Sequence, residues 1–324
     1  MKAVLCTHFG TPDDLELADI PPPRAGPGEA LVRIKAAALN FFDTLIVAGK
    51  YQHKPPLPFS PAAEFAGLVE SVAAGVTDIA PGDRVMGSIG WGAARESVAV
   101  AAEQLVKLPE KLDFERAAGL TVTYGTALYA LRERAALKDG ETLAVLGASG
   151  GTGLATIEIG KILGARVIAC ASSDDKLAFA RAHGADETVN YAVENLRAAL
   201  KRLGGEHGID VVYDPVGGAY AEPALRSLAW LGRYLVVGFA AGDIPKIPLN
   251  LVLLKSCDIR GVFWGAWTKR EPRAQQALMN DIVQWCAQDK LSAHVHAVYP
   301  LTEIAAALKA IADREVMGKI VLQP

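Results

Sequence analysis

Between Thr142 and Gly153 the chain reads TLAVLGASGGTG, the stretch that most narrows what it can fold into. Leu143–Leu146 is a short, wholly apolar run. Gly147, Gly150, Gly151 and Gly153 follow, and Leu154–Leu163 then sets Ala155, Ile159 and Ile162 on one helical face. A buried strand turning through glycines straight into a helix lets its backbone approach a ligand with no Cβ in the way. The helix start adds unpaired N–H groups and partial positive charge, which suit a phosphate. Ala148 replaces the usual first glycine of G-x-G-x-x-G, while the spacing from Gly150 to Gly153 is kept. Ser149, Gly150, Gly151, Thr152 and Gly153 are therefore expected to cradle a dinucleotide pyrophosphate. A purely structural turn is the alternative, and the strand–loop–helix context weighs against it.

The pattern repeats downstream. Arg166–Ala171 reads as a strand, Lys176–His183 as a helix, Asp210–Tyr213 as a strand, and Tyr234–Val237 as another after the turn at Gly232. Apolar strands alternating with helices predict a parallel sheet covered on both faces, the doubly wound Rossmann arrangement. Upstream of about residue 119 the character is β-rich. Ala30–Ala36 alternates apolar and polar residues, Gly67–Ser71 and Arg84–Met86 are short strands, and Pro27-Gly28 and Pro81-Gly82 mark tight turns. From about residue 265 the chain is mixed. A helix is expected over Gln275–Asp289, a strand over Ala297–Tyr299, a helix over Thr302–Asp313 capped by Thr302, and a strand over Ile320–Leu322. The fold class is α/β, with residues 121–264 as a dinucleotide-binding domain set between 1–120 and 265–324.

The strand after the glycine loop bears on the cofactor. An NAD-binding fold usually carries an acidic residue about 20 residues on, for the ribose 2′-hydroxyl. Here the strand tip holds Ser172 and Ser173, with Lys176 close behind. Two hydroxyls and a cation suit a 2′-phosphate, so NADPH is expected over NADH. Asp174 and Asp175 oppose this unless they occupy the first turn of the next helix, where the dipole favours them. Ser173 reads equally well as that helix's N-cap.

Bulk properties exclude other classes. Net charge is −3, which favours neither nucleic acid nor an anionic membrane, and no apolar run reaches membrane-spanning length. The start, MKAVLCTHFG, lacks the apolar stretch of a secretory signal, so a cytoplasmic enzyme is expected. Cys6, Cys170, Cys257 and Cys286 are scattered and read as buried, reduced thiols.

Taken together, GETLAVLGASGGTG, KILGARVIA, DVVYDPVGG and LVVGFAAG resemble the zinc-independent quinone oxidoreductases of the medium-chain dehydrogenase/reductase superfamily. So do Asn40-Phe41-Phe42-Asp43, Gly49-Lys50-Tyr51 and Ala63-Glu64-Phe65-Ala66-Gly67. The resemblance covers essentially the whole chain. It implies that the β-rich part is a chaperonin-ten-like catalytic domain into which the Rossmann domain is inserted, with the active site in the cleft. Zinc-dependent relatives hold their catalytic histidine in a G-H-E-x-x-G stretch, where this chain has Ala63. Their cysteine falls in the segment occupied here by Asn40–Asp43, and no cysteine lies between Cys6 and Cys170 to build a structural zinc lobe. No metal is expected; His294 and His296 alone are too few ligands. Without a Lewis acid, the suited acceptors are those already electrophilic.

The resemblance assigns Asn40, Asp43 and Tyr51 to the substrate site. Tyr51 would stack on a quinone or relay a proton; a loop tyrosine packed on its own turn is the plainer reading. Glu64 would orient its loop. Thr126, Tyr191, Gly238, Phe239, Ala240 and the Phe263-Trp264-Gly265 stretch would border the cofactor. Asp258–Trp264 is expected as an edge strand that pairs with its twin in a homodimer. The leading function is NADPH-dependent reduction of a quinone. Reduction of activated alkenes (enones, 2-alkenals, acrylic derivatives) needs the same hydride geometry and stays open, as does an NADPH-binding structural or regulatory protein.

Overall fold

The alternating run after the Pro27-Gly28 turn becomes the central strand of the first sheet, Glu29–Leu39, in a computed structural model that describes all 324 residues. Ala30, Val32 and Ile34 point into the core while Arg33 faces out. Alternation ends at Ala36; Ala36–Leu39 is wholly apolar and buried. The first half of this strand pairs antiparallel with Ser97–Ala101 and the second half with Lys319–Gln323. Its other edge pairs with Glu64–Val72. The seven-stranded sheet continues outward through Arg84–Ser88 to Leu105–Lys107 on one side and to Val295–Pro300 on the other. The chain's last strand thus lies beside one of its first. Gly28 and Gly82 take φ of +78° and +90°, the left-handed values their turns require. Val32, Ile34, Leu39, Phe65, Ile304 and Leu322 belong to one core cluster.

The C-terminal helix runs Ile304–Ala312. It is preceded by a 3-10 turn at Leu301–Glu303, so Thr302 lies inside that turn and does not cap the helix. Two compact units result. The first comprises Met1–Val122, Glu271–Asp289 and Ala293–Pro324; the second comprises Thr123–Arg270 and Lys290–Ser292.

The second unit is built on six parallel strands. Their spatial order is Glu187–Asn190, Arg166–Ala171, Thr142–Leu146, Ile209–Asp214, Leu228–Val236 and Asp258–Gly261. Numbered along the unit, that is 3-2-1-4-5-6, the doubly wound order. It reverses direction at Thr142–Leu146, so the crevice for a ligand lies beyond the carboxyl ends of that strand and of Ile209–Asp214. The edge strand is shorter than its sequence suggests. It stops at Gly261, and Trp264 opens a helix, Trp264–Arg270, whose first turn bonds Ala266 and Trp267 N–H to Phe263 O. The aromatic residues fix this turn: the Trp267 ring stacks on Tyr129 at 4.5 Å. All four cysteines are buried and unbridged, and no helix is long and apolar enough to cross a membrane.

Candidate active site

The glycine loop sits at the switch point of the parallel sheet. Gly147 leaves the strand with φ +61°, and Gly150 is the N-cap of helix Gly151–Ile162. Having no side chain, Gly150 leaves the first-turn N–H groups uncapped, and these have no partner within the helix. A Cβ at Gly153 would lie 2.2 Å from Gly147 O and 2.9 Å from Ala148 Cα, so only glycine lets the helix begin this close to the strand. A Cβ at Gly150 meets nothing nearer than Gly147 O at 3.5 Å, so the space over the turn is open. Such a cradle fits a pyrophosphate. Thr152 Oγ1 lies 2.5 Å from Tyr213 OH, and Tyr213, its phenol pushed up to about 12 by burial, stays neutral and able to donate. Ser149, within the turn, is buried.

The ribose side is mixed. Ser173 is the N-cap of helix Asp174–Ala182, its Oγ accepting Lys176 N–H at 3.4 Å, and its own hydroxyl hydrogen remains available. Asp174 and Asp175 do lie in the first helical turn, and Asp174 accepts Asn190 Nδ2 at 2.8 Å. Ser172 is exposed at the strand tip. Tyr191 follows the next strand and packs on Tyr220 at 4.3 Å. Gly238 and Ala240 are tied to the neighbouring loop through Asp214 O and Pro215 O, which leaves Phe239 exposed over the crevice edge. Thr126 is half-buried on helix Leu120–Leu128; its neighbour Gly125 lies against the Trp264 indole, where a Cβ would come within 3.1 Å. Phe263 and Gly265 are exposed beside it.

In the first unit, Asn40, Asp43 and Glu64 converge with a residue that the motifs did not single out, Lys319. Asn40 is the N-cap of helix Phe41–Val47, and Asp43 in its first turn reaches back to accept Asn40 N–H at 2.7 Å. The Asn40 side chain is engaged internally: Nδ2 donates to Glu64 Oε1 at 2.9 Å, and Oδ1 accepts Lys319 Nζ at 2.7 Å. Lys319 Nζ also donates to Leu39 O at 2.8 Å and Glu64 Oε1 at 2.9 Å, which uses all three of its donors. Glu64 Oε2 accepts Val122 N–H at 2.7 Å. Glu64 thus braces the Asn40 turn and the Val122 backbone. One cue to Lys319 is present: a lysine directly before the apolar run Ile320–Leu322 of the closing strand.

Asp43 is 1% exposed, and its Oδ1 has no hydrogen-bond partner. Burial pushes its carboxyl up to about 7. The Asn40 and Ala62 backbone amides and the Lys319 ammonium oppose the rise, and the Glu64 charge reinforces it. The Tyr51 phenol is also raised, by burial first and by the Asp43 charge second; its ring stacks on Phe42 at 5.6 Å. Between the ordinary carboxylate value of 3.8 and about 7, folded protein keeps a proton on Asp43 that unfolded chain has lost. This contribution is therefore fully present below pH 4 and lost as pH rises to 7. Asp43→Asn should gain stability over the wild type by about 2–4 kcal/mol between pH 4 and pH 8. Urea unfolding of both proteins across that range checks it; parallel pH curves would contradict it.

Residues 26–110 match the family described as "Alcohol dehydrogenase GroES-like domain", and residues 151–280 match "Zinc-binding dehydrogenase". The "Quinone oxidoreductase-like protein 2" of Rattus norvegicus is 38% identical over 322 residues, 99% of this chain and 91% of the relative. The "Quinone oxidoreductase" of Pseudomonas aeruginosa is 34% identical over 325 residues, 100% of this chain and 99% of the relative. The chain belongs to the zinc-independent quinone oxidoreductase family of the medium-chain dehydrogenase/reductase superfamily. It is an oxidoreductase. The crystal structure of Escherichia coli quinone oxidoreductase complexed with NADPH superposes with a TM-score of 0.93 at 29% identity, covering all of both chains. In this member of the family no three His, Cys, Asp or Glu side chains gather into a set that could hold a metal ion. Within the stretch matched to the zinc-named family, Cys170 and Cys257 are buried in the core cluster of the parallel sheet.

Proposed function

We propose that this chain uses NADPH to reduce a quinone. The observation that carries the reading is the pairing of an open glycine cradle with a ribose-side strand tip of serines and lysine. Of the two carboxylates in the next helix's first turn, Asp174 is engaged by Asn190. The names of the relatives and the NADPH held by the Escherichia coli structure support it. Bound NADPH would supply a hydride. The chain's own part is to hold the pyrophosphate on the amides of Ser149–Gly153 and the 2′-phosphate near Ser172, Ser173 and Lys176. Tyr191, Thr126, Gly238–Ala240 and Phe263–Gly265 would flank the rest of the cofactor. With Ala63 at the histidine position no Lewis acid is available on that side, so the acceptor must be electrophilic by itself. The two compact units are read as the catalytic and dinucleotide-binding domains, with Asn40, Asp43 and Tyr51 as the acceptor-side set.

A panel of quinones and a panel of enones and acrylates, each with NADPH and NADH, tests the reading. Quinones should turn over with NADPH; turnover of alkenes alone would overturn the quinone assignment, and tight NADPH binding with no turnover would favour a structural role. Lys176→Ala should weaken NADPH binding about tenfold by losing one charge-assisted contact, and leave NADH unchanged.

We also propose a homodimer through the edge strand Asp258–Gly261. Ile259 on that strand is 40% exposed, and Leu249, Leu253 and Leu254 nearby in sequence are exposed by 79%, 77% and 69%. Sedimentation should give twice the 34.2 kDa chain mass, and Leu253→Glu should return a monomer; a wild-type monomer at micromolar concentration would contradict the assignment.

A further inference from the structure

The buried cluster of the first unit holds more than a scaffold needs. Glu64 and Lys319 are 0% and 4% exposed, and every polar atom of the pair that the geometry reaches is satisfied within a network of Leu39 O, Asn40 and Val122 N–H. Asp43, in the same network through Asn40, is the exception, with one buried oxygen left unbonded. An unpaired buried acceptor is costly when ionised and tolerable when it carries a proton. The charged groups that act on it are two and opposite, Lys319 from the closing strand and Glu64 from the strand beside helix Phe41–Val47. Tyr51 is the further titratable group coupled to it.

We infer that Lys319 and Glu64 are positioning residues that set the charge of Asp43, and that Asp43 stores the proton an acceptor takes up on reduction. The use of that proton rests on the quinone reading above; the setting of the charge does not. Net reduction of a quinone to a hydroquinone takes one hydride and one proton. Bound reduced nicotinamide would supply the hydride with its two electrons. The proton leaves the Asp43 carboxyl as its O–H bond breaks, and an O–H bond forms on the acceptor oxygen. Asp43 is left as a carboxylate and regains a proton from water.

Infrared titration of the protein without nicotinamide or acceptor tests the charge setting directly. The C=O band of a protonated buried carboxyl should titrate near pH 7 and be missing in Asp43→Asn. Lys319→Met should move the midpoint up and Glu64→Gln should move it down, each by about one pH unit. Lys319→Arg should restore it, and the double variant Glu64→Gln/Lys319→Met should fall between the singles. A merely structural pair would not shift the titration in opposite directions. If Lys319→Met does not fold, Glu64→Gln and the double variant, neither of which leaves a buried carboxylate without its cation, decide the matter. No titrating band lost in Asp43→Asn, or equal midpoints in all variants, overturns the inference. The second half is read from turnover: with NADPH and a quinone, kcat should fall above pH 7 in the wild type, and in Glu64→Gln this limb should move down in step with the band. A limb that stays put overturns the proton store. Failure of quinone turnover with the infrared pattern intact removes the quinone reading and leaves the charge setting in place.

Discussion

Lys319→Met should lower stability by about 3–5 kcal/mol, the cost of leaving a buried carboxylate without its cation. The carboxylate is that of Glu64, which is 0% exposed and loses its ammonium partner at 2.9 Å. Asn40 loses the donor on Oδ1 at the same time, and Leu39 O loses its side-chain donor. At roughly 2–4 °C per kcal/mol for a chain above 150 residues, thermal unfolding should begin about 10 °C lower. The double variant Glu64→Gln/Lys319→Met should recover most of the loss, because a neutral replacement for both partners avoids two desolvated charges. A single variant within 1 kcal/mol of the wild type would show that water reaches Glu64 and that the cluster is not the closed network described above. The prediction is large because the pair joins positions 255 residues apart, tying the closing strand to the strand that carries the family's acidic residue.

Substitution in the glycine loop should separate folding from binding. Gly153→Ala puts a methyl 2.2 Å from Gly147 O and 2.9 Å from backbone carbons of Ala148, none of which can swing aside. The helix start must shift, at a cost of about 1–3 kcal/mol or more, and the amide cradle opens with it. Dinucleotide affinity should drop at least about a hundredfold, since misplacement by an ångström is enough for such a loss. Gly150→Ala is the contrast. Its methyl meets only Gly147 O at 3.5 Å, an ordinary contact, so stability should hold. The methyl enters the space over the turn, however, and NADPH affinity should fall as steeply. Fluorescence titration with NADPH alongside urea unfolding reads both variants. Normal NADPH affinity in Gly150→Ala would place the pyrophosphate elsewhere.

The strands and the loop were legible because their signals are local. An apolar run into glycines, or alternation bounded by Pro-Gly, is decided by neighbours within a few residues, and the doubly wound order follows from the repeated strand–helix pattern. The end of the edge strand was not legible. Phe263 and Trp264 have strand-like composition, and only the packing of the Trp264 indole on Gly125 and of Trp267 on Tyr129 turns them into a helix. The sequence leaves Ser173 open between cap and ligand. Its geometry is that of a cap, with a hydroxyl hydrogen still free to serve a phosphate. The motif places Asn40 at the substrate site, and the fold adds that its side chain bonds Glu64 and Lys319. That engagement follows from a contact 279 residues away, which no periodicity or motif spacing encodes. Tertiary pairing, in short, decided which polar residues of a motif face inward.

Hydride should reach the acceptor without a metal. Protein stripped by prolonged chelation, its zinc content checked by atomic absorption, should be assayed with NADPH and a quinone over several additions of zinc. Turnover equal to that of untreated protein, and indifferent to added zinc, is the result predicted from Ala63 and from the commitment of Asn40 and Glu64 to Lys319. Activity lost on chelation and restored by zinc would contradict it.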